Sequence, residues 1–173
     1  MIRLNKYISN SGVCSRREAD VLIAEGKIKI NNKVVTILGT KVTEQDQVVY
    51  NGKVLKAEKH QYILINKPKN CITTVKDTHD RKTVMDIIEG ACDQRVYPVG
   101  RLDRDTTGLL LLTNDGELTK RLTHPSFGIK KKYVIQLENS IHPESLKEMV
   151  KGINLEDGQV KYDEVKYGRQ QTD

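Results

Sequence analysis

No run of 18 apolar residues occurs in the 173-residue chain, so no segment reads as a transmembrane helix. The first residues, Met1-Ile2-Arg3-Leu4-Asn5-Lys6, lack the apolar stretch of a secretory signal. Both absences point to a cytoplasmic protein. Cysteine is scarce: Cys14, Cys71 and Cys92 are odd in number and widely spaced, which excludes a disulfide framework and a CxxC metal knuckle. Each reads as a small core residue. There is no internal repeat and no low-complexity segment. Apolar residues make up 37% and charged residues 30%, polar for a globular chain yet too well patterned for disorder.

The charge is unevenly placed. The formal net charge is +6, and residues 1–60 carry +5 of it, with 11 Lys/Arg against 6 Asp/Glu. A small basic module beside a nearly neutral larger one suits a polyanion partner read by the first module. A merely soluble surface accounts for the charge equally well.

Leu4, Tyr7 and Ile8 have helical spacing, punctuated by Gly12. Ser15-Arg16-Arg17-Glu18 is a capping box that opens a second helix over 16–25, with Ala19, Leu22 and Ile23 on its apolar face and Gly26 as its stop. Residues 28–35 form a hairpin turning at Asn31-Asn32, since asparagine tolerates positive φ. Val48-Val49-Tyr50 is a further strand before an Asn51-Gly52 turn. This module, two helices and a small sheet, spans 1–57, and 58–61 form a polar linker to a second module over 62–173.

There, residues 62–65 and 109–112 are apolar without alternation and read as buried strands. Residues 83–89 read as a helix, Asn114-Asp115-Gly116 leads into a helix through Leu122, and a helix starts near Pro143. Tyr133 to Leu137 alternates as a strand, and Val160, Tyr162 and Val165 suggest another. Strands and helices mix without a βαβ rhythm, so the class is α+β with a mainly antiparallel sheet.

Two regions carry chemistry. Arg3 and Lys6 on the first helix, with Arg16 and Arg17 beside the capped amides of the second, form a corner suited to phosphate. Solvated first-turn arginines are the alternative. In Val99-Gly100-Arg101-Leu102-Asp103-Arg104-Asp105-Thr106-Thr107-Gly108, polar groups crowd before a hydrophobic strand, as in a rigidly mounted site. Arg101 or Arg104 beside Asp103 would keep that carboxylate ionised. A turn capped by Asp105, and a magnesium pair formed by Asp103 and Asp105, are the other readings.

The run Arg3-Leu4-Asn5-Lys6-Tyr7-Ile8, then Ser11 to Asp20, Gly26 and Ile30-Asn31-Asn32-Lys33 resembles an S4 RNA-binding domain. The resemblance implies that Arg3, Lys6, Ser15, Arg16 and Arg17 face RNA phosphates. Leu64-Ile65-Asn66-Lys67-Pro68, the Gly100-Arg101-Leu102-Asp103 signature, Leu111 to Leu118, and Leu122 to Ser126 followed by Lys131-Lys132-Tyr133 resemble the pseudouridine synthases of ribosomal RNA that carry an N-terminal S4 domain. By this resemblance Asp103 is catalytic, Arg101 helps hold the site open, and Tyr133 stacks on a flipped uracil. Lys131 and Lys132 become candidate RNA contacts, Lys67 a backbone-contacting residue, and His124 a structural loop residue.

The implied reaction needs no cofactor and no metal. The partner is ribosomal RNA, large-subunit rather than small-subunit, in an assembly intermediate, and with no exposed apolar stripe the chain is expected to be a monomer. The family's arginine-rich third motif is missing from the 173 residues. The expectation is a chain truncated at its C-terminus, with a partial catalytic domain and weak or no catalysis alone. An rRNA-binding protein without catalysis is the alternative function.

Overall fold

The computed structural model describes residues 1–156 and 158–168. The chain forms two compact units, Met1–Ile129 and Lys130–Asp173.

The first unit opens with strand β1 (Ile2–Arg3) and helix α1 (Leu4–Asn10), followed by α2 (Arg16–Ala24). The capping box at the start of α2 is formed as the sequence predicts. The Glu18 amide donates to the Ser15 hydroxyl at 3.2 Å, and the Ser15 amide donates to the Glu18 carboxylate at 2.8 Å. Replacing Ser15 by alanine is expected to cost about 1 kcal/mol, read as a shift in the urea midpoint; an unchanged midpoint would show the cap to be idle.

Four further short strands, β2 (Ile28–Ile30), β3 (Lys33–Val34), β4 (Lys41–Val42) and β5 (Val48–Tyr50), precede β6 (Lys53–Val54). They give an antiparallel sheet of order β3-β2-β5-β6 and a separate β1-β4 pair. Asn31 and Asn32 both have positive φ, 49° and 66°, as the two-residue turn between β2 and β3 requires. Leu4, Ile8, Ala19, Ile23, Ile28, Val42, Val48 and Leu55 close the core beneath this sheet. The β1-β4 pair escapes sequence reading because two residues show no periodicity.

Strand β7 (Tyr62–Lys67) follows, then α3 (Val84–Ile87), β8 (Tyr97–Pro98), β9 (Gly108–Thr113), α4 (Gly116–Thr123) and a single 3-10 turn at Pro125–Phe127. The sheet order is β7-β9-β8, all antiparallel, with Lys67 opposite Gly108 and Tyr62 opposite Thr113. Cys71, Val84, Ile88, Val96, Leu110 and Leu112 form a second core on one face of it. The apolar runs in β7 and β9 are therefore covered on one side, whereas the sequence suggests burial on both. Tyr62, Leu64 and Leu109 lie exposed on the other face, Leu109 by 74%. This is an apolar stripe that the sequence did not disclose, because runs of leucine and isoleucine leave the two faces of a strand indistinguishable. The three cysteines are free, and burial pushes the thiols of Cys14 and Cys71 upward.

In the second unit, α5 (Pro143–Lys151) is capped by the His142 ring, which accepts from the Glu144 amide, and is followed by a hairpin of β10 (Ile153–Leu155) and β11 (Gly158–Val160). The strand expected over Tyr133 to Leu137 is not formed. Tyr133, Val134, Ile135 and Leu137 are all exposed, and no strand among the described residues pairs with them. Alternation alone does not make a strand without a neighbouring ladder. Of the expected final strand only Val160 is in β11; Tyr162 and Val165 lie beyond it. Among the described residues no helix is long and apolar enough to cross a membrane.

Candidate active site and RNA-binding surface

The loop that carries Asp103 hangs between β8 and β9 and is held from below by one side chain. Lys67, the last residue of β7, is fully buried. Its Nζ donates to the carbonyls of Pro68 at 3.0 Å, Asp103 at 2.9 Å, Arg104 at 3.1 Å and Thr106 at 2.8 Å. An ammonium has three protons, so four acceptors share them. Thr73 adds a second clamp: its buried hydroxyl donates to the Leu102 carbonyl at 2.7 Å and accepts from the Leu102 amide at 3.2 Å. The Cys71 amide reaches the Arg104 carbonyl, and the Thr106 amide turns back to the Asp103 carbonyl. The carbonyls of Leu102, Asp103, Arg104 and Thr106 are thus held from within the fold, and the side chains of Arg101 and Asp103 face outward.

Outward they open a cleft of about 440 Å³ lined by Ile72, Thr73, Arg101, Leu102, Asp103 and Arg104. Asp103 and Arg101 are exposed in it. Among the described residues no ion pair reaches the Asp103 carboxylate, contrary to the expected pairing with Arg101 or Arg104. The chain turns at Arg104-Asp105, Leu102 packs against the second core, and the Arg104 guanidinium is engaged instead with the Asn70 side chain at 3.2 Å. Among the described residues no third acidic, cysteine or histidine side chain joins Asp103 and Asp105 in a group that could hold a metal ion.

The turn after β9 is equally well tied. Asp115 caps α4, accepting from the Glu117 and Leu118 amides at 3.0 Å, and it accepts from the Tyr62 hydroxyl at 3.0 Å. The Leu118 amide, with help from Tyr62 and His60, holds the Asp115 carboxyl below the ordinary carboxylate range. A depressed folded-state pKa stabilises the fold above the unfolded value, about 3.9, and that contribution is lost as pH falls through the folded value. Asp115→Asn keeps a capping oxygen but no titration. Its melting temperature is expected to fall less steeply than wild type between pH 5 and pH 2; parallel curves would refute this role.

The RNA-facing candidates of the first unit lie in β1, α1 and the start of α2. Arg3, Arg16 and Arg17 are exposed and make no ion pair among the described residues. Ser15 is occupied as the cap of α2. Lys6 is paired with Glu117 of α4, so its charge is compensated within the fold. Tyr133, Lys131 and Lys132 belong to the second unit and are exposed there. His124 caps the 3-10 turn through the Ser126 amide, a structural task. Arg95 and Lys120 were not singled out from the sequence. No motif surrounds either residue, and only the fold sets them beside Arg16, in a cleft between α2 and α4.

The basic helix pair lies within residues 2–48, which match the S4 domain pattern. The chain belongs to the RNA pseudouridylate synthase family, whose pattern matches residues 61–173. It is 48% identical over 158 residues to a protein of Bacillus subtilis named ribosomal large subunit pseudouridine synthase B, covering 91% of this chain and 64% of that one. It is 45% identical over 170 residues to an uncharacterized RNA pseudouridine synthase of Aquifex aeolicus, covering 97% and 68%. The crystal structure of a pseudouridylate synthase superimposes with a TM-score of 0.57 at 29% identity, over 93% of this chain and 70% of that one. The chain thus spans about two thirds of the length of these relatives.

Proposed function

We propose that this chain carries the S4 and aspartate-bearing parts of an enzyme that isomerises a uridine of large-subunit ribosomal RNA to pseudouridine. Residues 1–57 dock the RNA and 62–173 supply the chemistry. The observation that carries the reading is Asp103: an exposed carboxylate on a loop pinned from beneath by Lys67 and Thr73, within the Gly100-Arg101-Leu102-Asp103 signature of a family member. The large-subunit assignment is supported by the name of the B. subtilis relative.

In this reaction the C1′–N1 bond breaks, the uracil rotates, a C1′–C5 bond forms, the C5 proton leaves, and N1 takes up a proton. No oxidant and no cofactor enters the balance. A base paired in a helix cannot present C1′ to a side chain, so the uridine is flipped into the cleft. Asp103 acts there either as nucleophile or as the base that takes the C2′ proton. Arg101 holds the opened site, and Tyr133 stacks on the uracil. Lys131, Lys132, Arg3, Arg16 and Arg17 contact phosphate, and Ser15 fixes the amides beside them. The setting is a cytoplasmic ribosome-assembly intermediate.

The test is tritium release from 5-tritiated uridine in unmodified large-subunit rRNA, by the 173-residue chain and by the same chain with the family's arginine-rich third motif appended. Release from either, unaffected by EDTA, supports the reading. Salt-dependent rRNA binding without release from either chain replaces it with a binding-only function.

A further inference from the structure

Between α2 and α4 the first unit holds a second cleft, about 620 Å³, which is not part of the Asp103 site. Ligand pockets run from about 300 to 1,000 Å³, so it admits a nucleotide-sized group. Arg16 lines it from α2, Arg95 from the residue before the buried Val96, and Lys120 from α4. Its lining contains no carboxylate. The acids nearby are already engaged: Glu18 is bound to Ser15 in the capping box and Glu117 is paired with Lys6. None of Arg16, Arg95 and Lys120 forms an ion pair among the described residues.

The three charges converge. A Cβ at Gly116, the first residue of α4, would lie 3.8 Å from the Arg16 guanidinium and 3.3 Å from the Tyr97 hydroxyl. Tyr97, Arg95 and Lys120 line the same cleft as Arg16. The cleft also leads somewhere. Thr123 is among its lining residues, and a Cβ at Gly100 would lie 3.8 Å from the Thr123 methyl. Gly100 immediately precedes Arg101, which lines the Asp103 cleft. A chain of phosphates entering at Arg16 and leaving past Thr123 would arrive at the reactive carboxylate.

We infer that this cleft is an RNA backbone site, in which Arg16, Arg95 and Lys120 neutralise phosphates of the substrate strand and lead it from the S4 module to the Asp103 loop. The inference rests on the RNA-substrate reading above and adds to it the path of the strand.

The affinity of the full chain for an unmodified large-subunit rRNA transcript should be measured against KCl concentration. Each phosphate neutralised contributes about 0.7 to 0.9 to the slope of log K against log salt, so Arg95→Ala with Lys120→Ala should flatten the slope by about 1.5. Arg95→Lys with Lys120→Arg should keep the slope, as should Lys53→Ala with Lys56→Ala on the exposed hairpin edge. An unchanged slope in the first double variant overturns the inference. Should that variant fail to fold, the wild-type chain answers: bound rRNA should protect Lys120 from amine acetylation severalfold while Lys53 stays reactive. Equal reactivity of Lys120 with and without RNA overturns the inference as well. A flattened slope without tritium release retains the cleft and rejects the catalytic reading. Tritium release with an unchanged slope does the reverse.

Discussion

Asp103→Asn is expected to lower tritium release by about a thousandfold, within the 10²–10⁴ that a positioned proton-transfer group contributes, in whichever chain releases tritium. The substitution preserves size and removes only the charge. Asp103 contributes its backbone carbonyl to Lys67, not its carboxylate, so the loop should keep its shape. RNA affinity should hold or rise slightly, because a carboxylate repels phosphate. Asp105→Asn, also exposed on the same loop, provides the contrast and is expected to release tritium at close to the wild-type rate. If Asp103→Asn kept more than about a tenth of wild-type release, the carboxylate would be neither nucleophile nor base.

Lys67→Met is expected to destabilise the fold by at least about 3 kcal/mol, because four carbonyl oxygens would then face a methyl group where they now face an ammonium. The Asp103 and Arg104 carbonyls keep donors in the Thr106 and Cys71 amides, so the Pro68 and Thr106 carbonyls are the two left without one, at about 1–3 kcal/mol each. Among the described residues the ammonium has no carboxylate partner, and backbone carbonyls compensate its burial. Lys67→Arg should not rescue the site, since a planar fork cannot meet four carbonyls arranged around a compact charge. Urea unfolding reads the loss directly, and a change below about 1 kcal/mol would mean that the carbonyls find other donors. Tritium release should fall with stability, because three of the four carbonyls belong to the Asp103 loop.

Local chemistry made much of this fold legible in advance. The Ser15–Glu18 box, the Asn31-Asn32 turn and the Pro143 helix start depend on residues within three or four positions of one another, and each is present where expected. Lys67 reads as a structural or backbone-contacting residue only through the family resemblance; its full burial was not legible, because a lysine ordinarily reaches solvent. What the sequence could not supply was set by distant pairing. Strands of two residues such as β1 and β8 exist only because β4 and β9 lie beside them. The alternation at Tyr133 to Leu137 has no such neighbour and forms no strand. Arg101 and Arg104 line the same cleft as Asp103, yet among the described residues neither forms an ion pair with it. Arg95 and Lys120 converge with Arg16 although long stretches of chain separate them. The rRNA target and the roles of individual site residues came from family resemblance, not from periodicity or charge.

The order of the two cores along the chain has a consequence during synthesis. Every residue of the first core lies at or before Leu55, so it can close while the rest of the protein is still being made. The second core waits for Leu110 and Leu112, and Lys67 stays hydrated until the carbonyls of residues 103 to 106 exist to replace its water. Domains generally fold as units, N-terminal first, as translation proceeds. The nascent chain therefore carries a finished S4 module before the Asp103 loop has been assembled, and a chain halted before Leu110 would hold the first core without the second.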